Sequence, residues 1–398
     1  MGKSFEDLKN DVIKVGLCTG CGTCVGVCPS SALAIDYEAD EPEPKVVGTC
    51  NSCGLCYEVC PGKDIPLPEL DKFFLGRERD FEKEKIGIFK ACYRGYATNP
   101  LIRERSSSGG LVSALLIYAL EEGIIDAALL AGWRKDKAWR CEPFIATNSN
   151  EILKGIRTGM MMVPNNALLS KAVEEGYKKI AVVGVPCHVH GIRKLQMLGR
   201  PKKIAEAIKL VLGLFCASTY YMEGTRHLLE EIGGIKTDEI IAMDYRGGDY
   251  PGALYVLTQD GKIHYVASKH MYTWHFLGSA TYKRDRCLMC VDFSSELADL
   301  SFGDTFLRFD EPNPRIGVVL TRTEIGHKLL MGAAEKKYVE IKEYDPELIP
   351  VSGMGWESKK HAGVYRLLQR QKYGWPVPNY HYKLSESPLR RKLIFPKE

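Results

Sequence analysis

Two stretches of this chain repeat one cysteine spacing. Cys18, Cys21, Cys24 and Cys28-Pro29 read C-x2-C-x2-C-x3-C-P, and Cys50, Cys53, Cys56 and Cys60-Pro61 read the same. Eight of the 14 cysteines therefore lie between Cys18 and Cys60. In a small secreted protein such density marks a disulfide scaffold. Here the chain has 398 residues, and Met1 to Val12 mixes Lys, Glu and Asp where an export signal would be apolar. Reduced thiolates holding metal are the expected state, in a cytoplasmic protein.

The spacing separates the candidate metals. Structural zinc takes four ligands in a tetrahedron, normally as two separated C-x2-C pairs, and a doubled triplet-plus-one suits it poorly. Three thiolates at intervals of three on one tight loop reach three irons of a cubane. The run as a whole matches the signature of two-cluster bacterial ferredoxins, in which the fourth cysteine ligates the other cluster. On that rule cluster one takes Cys18, Cys21, Cys24 and Cys60, and cluster two takes Cys50, Cys53, Cys56 and Cys28. Gly20, Gly22 and Gly54 let backbone amides approach the cluster sulfurs, and the prolines turn the chain out of each motif.

The rest of the chain is of ordinary globular composition, 45% apolar and 26% charged, which excludes collagen-like, disordered and low-complexity classes. Net charge is +4, so no whole-chain nucleic-acid or membrane-surface footprint is indicated. The longest apolar candidate, Ser106 to Leu120, is closed by Glu121 and Glu122 and is too short to span a bilayer. The fold class expected is α+β, with three parts. Residues 1–70 form the two-cluster head, with 5 basic and 11 acidic residues, left through the proline-rich linker Pro61 to Pro68. Residues 71–340 form a mixed α/β domain. Residues 341–398 form an irregular arm, and from Lys359 onward it carries 10 basic and 2 acidic residues.

Within the middle part, periodicity predicts helices over Leu111–Leu120, Leu168–Gly176 and Tyr221–Ile232. Apolar runs predict strands at Ile124–Gly132, Ile180–Val185 and Leu210–Phe215. Asp260-Gly261 between Ala253–Thr258 and Lys262–Val266 signals a hairpin. Cys187 and Cys216 end two of these strands, where an α/β sheet presents functional groups. With the C-x2-C of Cys287 and Cys290 they can supply four ligands to one more cluster; the bland alternative is that they are small buried apolar residues. Cys92 and Cys141 read as packed thiols. His188 and His190 read as pocket-lining residues and not as metal ligands. Ser106-Ser107-Ser108-Gly109-Gly110 precedes an apolar helix, so it is either a pyrophosphate cradle or an ordinary N-cap. There is no G-x-G-x-x-G and no Walker lysine loop.

Taken together, the two-cluster head, Ser-Ser-Ser-Gly-Gly, Gly184-Val185-Pro186-Cys187-His188 with Gly191, Cys216, the Arg286-Cys287-Leu288-Met289-Cys290 loop next to Arg284 and Ala298-Asp299-Leu300-Ser301-Phe302-Gly303-Asp304 resemble the beta subunit family of coenzyme F420-reducing hydrogenase. That family includes the beta subunit of F420-dependent formate dehydrogenase, the input subunit of the dehydrogenase for the reduced coenzyme, and the flavin domain of F420-dependent sulfite reductase. The resemblance covers about residues 10–330. It implies a non-covalent FAD held at Ser107, Ser108, Gly109 and Gly110, and a third 4Fe–4S cluster on Cys187, Cys216, Cys287 and Cys290. It implies coenzyme F420 as substrate, docked against the flavin. A flavin between a hydride carrier and one-electron clusters divides the electron pair. The implied path runs from reduced coenzyme through FAD and three clusters to a catalytic partner in a hetero-oligomer, such as formate dehydrogenase, hydrogenase or heterodisulfide reductase, in methanogenesis. No acid–base residues beyond the cofactors are implied. Where many relatives carry Gly-Ser/Thr-Lys-Tyr, this chain has Gly159-Met160-Met161-Met162. That departure leaves open a stand-alone FAD and iron–sulfur reductase of another organic substrate, or a relay subunit without flavin.

Overall fold

The computed structural model describes residues 2–157, 159–277, 281–305, 315–349 and 357–384. A short antiparallel pair, β1 (Leu33–Asp36) and β2 (Glu43–Val46), belongs to the head. The body is built on eight strands: β3 (Ala91–Ala97), β4 (Ala127–Trp133), β5 (Cys141–Ala146), β6 (Ile180–Gly184), β7 (Ile208–Leu214), β11 (Leu300–Asp304), β12 (Gly317–Thr321) and β13 (Val339–Glu343). Their order is β13-β3-β12-β11-β7-β6-β4-β5. The centre, β11-β7-β6-β4, is parallel and both flanks are antiparallel. A separate three-stranded sheet has β9 (Ala253–Thr258) between β8 (Ile240–Gly247) and β10 (Ile263–Ser268), with the hairpin turning at Gly261. The observed architecture is thus mixed α/β with a ferredoxin-type head.

Strand alternation explains where the layers lie. On β6 and β7, Ala181, Val183, Leu210 and Leu212 face a core formed with the helix Leu111–Glu121 and the helix Glu324–Glu335. The residues between them, Ile180, Val182, Ile208 and Val211, face the opposite core. That second core contains Val189, Ile192 and Leu195 of the helix Pro186–Leu198, and also Phe5, Leu8, Val12, Val27, Leu55 and Val59 of the head. One continuous apolar cluster therefore runs across the expected boundary at residue 70. Two glycines make the approach possible. A Cβ on Gly26 would meet the carbonyl oxygen of Asn166, and one on Gly191 would meet Thr23 Oγ1.

Three expectations change. The Pro61–Pro68 linker is short, because the helix Leu67–Leu75 begins inside it; Pro68 sits in the first turn, where its missing N–H costs nothing. His188 and His190 are buried and engaged by protein groups. His188 is buried, with its Nδ1 taking the Val185 N–H at 3.3 Å and its Nε2 2.8 Å from the Val163 carbonyl. Burial pushes its pKa down to about 4, so the ring is neutral and fastens the turn after β6. His190 Nε2 lies 3.0 Å from Asp292. The third change concerns the basic arm. Of the expected arm, residues 341–349 and 357–384 are described, and they are not wholly irregular: β13 ends at Glu343, Glu357–Lys372 is helical, and Val364, Leu367 and Tyr380 are core residues. Its lysines also find buried partners, as when Lys360 donates to Glu296 at 2.9 Å. Amphipathic packing, invisible to a charge count, holds the segment down. Pro388 and Pro396 lie outside the described residues.

The joint between head and body is close enough that one methyl group disturbs it. Gly26→Ala should cost about 1–3 kcal/mol of stability by overpacking, read as a lower unfolding temperature in anaerobic calorimetry.

Candidate metal and cofactor sites

Each C-x2-C-x2-C run wraps a tight loop that leads into a one-turn helix, Thr23–Gly26 in the first repeat and Leu55–Glu58 in the second. Gly22 and Gly54 cap those helices at φ of 81° and 78°, a left-handed conformation that favours glycine. The loops face each other. Cys24 lies in electrostatic reach of Cys21, Cys60 and Cys18, while Cys56 feels Cys53, Cys50 and Cys28. Cys60 thus lies near the first triplet and Cys28 near the second, and Cys56 also acts on Cys24.

A third set gathers in the body. Cys187 opens the helix Pro186–Leu198 after β6, Cys216 follows β7, and Cys287 and Cys290 belong to the turn around Asp285–Leu288. Cys187 is coupled to Cys287, Cys216 and Cys290, and before any of these to Cys21 of the head. Cys92 is buried on β3 away from all three sets. Four thiolates on one zinc would be about 3.8 Å apart, given Zn–S bonds near 2.3 Å. Among the described residues, no three Cys, His, Asp or Glu side chains converge to hold a single ion.

Electrostatics support the same assignment. Burial pushes the Cys18 and Cys216 thiols up to about 12 and the Cys60 thiol up to about 11. Alone they would stay protonated at neutral pH, and a bound cation is what deprotonates such ligands. The protein adds fixed positive charge. Arg284 is buried between Cys18 and Cys287 and ion-pairs with Glu41. Lys194 donates to the carbonyls of Cys60 at 2.8 Å and Asp64 at 2.6 Å. Arg286 donates to the Gly62 carbonyl at 2.8 Å and to Tyr380 Oη at 2.9 Å. At Cys287 burial still opposes ionisation, but Lys359, Thr219 and Arg284 outweigh it and lower the thiol. Spacing singled out Arg284 and Arg286 through their place beside Cys287; Lys194, Lys359 and Tyr380 carry no local signal.

The Ser-Gly turn is a packed feature. Gly109 and Gly110 both have φ of 80°, and a Cβ on Gly109 would meet the Arg315 carbonyl at 2.7 Å. Ser108 Oγ bonds Asp304, which also holds Arg246 at 3.0 Å and Lys269 at 2.9 Å. Arg315 donates to the Ser106 carbonyl at 2.6 Å. Among the described residues, Arg246 Nη2 and Arg315 Nε are buried without a hydrogen-bond partner. Unspent guanidinium donors beside a glycine turn fit a phosphate-bearing cofactor. Close by is a cavity of about 430 Å³ lined by Arg105, Arg134, Lys135, Lys154 and Arg157 with Trp133. Among the described residues its lining contains no carboxylate, though Arg134 pairs with Glu38 and Asp136 and Arg157 with Asp244 beside it. Of the departure segment, Met161 and Met162 are buried, and Met162 packs against Gly20 in the first cysteine loop.

A ferredoxin-type head packed on a mixed α/β body, with two thiol sets in the head and a third gathered in the body, defines an iron–sulfur oxidoreductase. Comparison with known proteins makes the family explicit. Residues 10–61 match the family described as 4Fe-4S dicluster domain. Residues 92–170 and 177–347 match "Coenzyme F420 hydrogenase/dehydrogenase, beta subunit" N-term and C terminus. The coenzyme F420 hydrogenase subunit beta of Methanothermobacter thermautotrophicus is 30% identical over 298 residues, 74% of this chain and 99% of that one. The coenzyme F420-dependent sulfite reductase of Methanocaldococcus jannaschii is 28% identical over 355 residues, 86% of this chain and 50% of that one. A chain of the F420-reducing NiFe hydrogenase complex from Methanosarcina barkeri shares the fold, with a TM-score of 0.62 at 24% identity, covering 75% of this chain and 98% of that one. The chain belongs to the coenzyme F420 hydrogenase/dehydrogenase beta subunit family. Among the described residues, no helix is long and apolar enough to cross a membrane.

Lys194 offers a direct check on how head and body are tied. Lys194→Met would orphan the carbonyls of Cys60 and Asp64, at about 1–3 kcal/mol each. The expected outcome is a lower anaerobic unfolding temperature, measured by circular dichroism.

Proposed function

We propose that this protein is the electron-transfer subunit of an F420-linked complex. It holds FAD and three 4Fe–4S clusters, exchanges hydride with coenzyme F420, and passes single electrons to a partner subunit. The observation that carries this reading is that Cys187 of the body set lies within electrostatic reach of Cys21 of the head, on top of the apolar packing that joins head and body. In this reading electrons pass from the body set through the head toward Cys50 and Cys53, which are exposed. FAD supplies the chemistry that joins a two-electron hydride donor to one-electron carriers.

The chain's own residues have distinct tasks in this reading. Cys187, Cys216, Cys287 and Cys290 hold the inner cluster. Cys18, Cys21, Cys24 and Cys60 hold the proximal head cluster, and Cys50, Cys53, Cys56 and Cys28 hold the distal one. Thr23 Oγ1 lies 3.1 Å from Cys21 Sγ and is fixed by Asn166 Nδ2 at 2.9 Å, so the joint is held by hydrogen bonds as well as apolar packing. Ser107, Ser108, Gly109 and Gly110 form the turn that receives the flavin pyrophosphate, aided by Arg246 and Arg315. The cationic cavity suits the anionic portion of a cofactor or substrate. The partner docks where Cys50 and Cys53 reach the surface of the acidic head. Relatives named as hydrogenase subunits support assembly into a hetero-oligomer.

Anaerobically purified protein should contain about twelve irons, matching sulfide, and flavin absorbance. Reduced coenzyme F420 should bleach the flavin and NADH should not. Reduction by NADH, or a protein with clusters but no flavin, would remove the proposed substrate or the proposed flavin respectively. Cys287→Ala should lose about four irons with the head clusters retained. An unchanged iron count, measured by colorimetry, would leave these four cysteines as packed thiols.

A further inference from the structure

A lysine from the C-terminal helix is buried over the body's thiol set. Lys359 is 1% exposed, and its Nζ donates to the Cys287 carbonyl at 3.0 Å. Among the described residues, the charged or ionisable groups that act on it most are Cys290, Cys287, Cys216 and Arg286, with no carboxylate among them. Its neighbour Lys360 is different, because Glu296 neutralises it at 2.9 Å. A buried ammonium without a carboxylate is costly unless some other negative charge faces it. The helix is anchored so that the ammonium cannot withdraw. Lys360 pins one end to Glu296, and downstream Tyr380 Oη donates to the Met289 carbonyl at 3.1 Å between the two cysteines of the C-x2-C. The distal head set is the opposite case: the groups acting on Cys56 are Cys53, Cys50 and Cys28, with no cation.

We infer that Lys359 sets the reduction potential of the group held by Cys187, Cys216, Cys287 and Cys290, making it easier to reduce. This rests on the reading that those four thiolates hold a 4Fe–4S cluster. The physical reason is charge. A cluster gains one electron on reduction, and a fixed cation in a low-dielectric site favours the more negative state. Lys359 therefore acts as a positioning charge, with no bond to iron or substrate. It makes the inner site a favourable first acceptor for each electron entering the line.

The test is a potentiometric titration of the full-length protein, followed by electron paramagnetic resonance, with iron and sulfide counted on the same samples. The inner-cluster signal is the one that Cys287→Ala abolishes. Lys359→Gln keeps a donor for the Cys287 carbonyl and removes the charge; Lys359→Arg keeps the charge. In Lys359→Gln we expect full iron and unmoved head signals. The inner-cluster oxidised-to-reduced ratio at a given potential should rise at least tenfold, a midpoint lower by about 59 mV for one electron. Lys359→Arg should stay near the wild-type midpoint. An unmoved midpoint in Lys359→Gln with full iron would overturn the inference. Loss of iron from both variants would do so as well, by making Lys359 a structural strut. A wild-type protein with only the head's iron would instead overturn the reading on which the inference rests.

Discussion

Everything in this molecule answers to one electrostatic problem, the burial of many sulfur ligands that must carry negative charge. Left alone, the interior drives Cys18, Cys60 and Cys216 toward the protonated thiol. The solution has two parts. Bound metal supplies most of the compensation, and a shell of buried cations supplies the rest: Arg284 between two sets, Arg286 beneath the body's turn, Lys194 at the head's exit. Each cation also does mechanical work. Arg286 and Lys194 spend their donors on carbonyls at Pro61, Gly62, Cys60 and Asp64, so the charges that favour thiolates also bind the head to the body. Electrostatics and assembly cannot be separated here.

The same economy governs the irregular chain between head and sheet. Arg79 is fully buried and paired with both Asp71 and Glu296, and Arg322 donates to the carbonyls of Ile86 and Ile88. Loop carbonyls that water would ordinarily satisfy are met by guanidinium groups reaching out of the sheet. A segment without regular structure is thereby held against the body at Arg79 and at residues 86–88.

Much of this was legible in the sequence, and the reason lies in which signals are local. The doubled cysteine run announces a two-cluster head, and residues 10–61 match the 4Fe-4S dicluster domain family. The buried strand runs at Ile180 and Leu210 and the apolar helix after Gly110 were equally plain, since burial on both faces writes a continuous apolar stretch. What the sequence concealed is long-range. Lys359 lies far along the chain from Cys287, and nothing near it announces a sulfur neighbour. The basic, proline-bearing composition of its surroundings suggested an irregular arm, because net charge does not record which lysines are buried. His188 suggested a ligand or a pocket wall for a similar reason: the Val163 carbonyl that occupies its ring comes from another element.

Chain order also gives these sites a history. Both head sets are complete once Cys60 has been made, whereas the body set draws on Cys187, Cys216, Cys287 and Cys290 and is roofed by Lys359 and Tyr380. During synthesis the head's ligands emerge from the ribosome long before the inner ones are even translated. Loading of iron and sulfide can therefore begin at the surface end of the line, while the inner cavity still lacks its lid. The helical turn that carries Lys359 and the Tyr380 segment, which pack on the body set, are translated last. Any group held by those four cysteines would then be covered by the C-terminal segment.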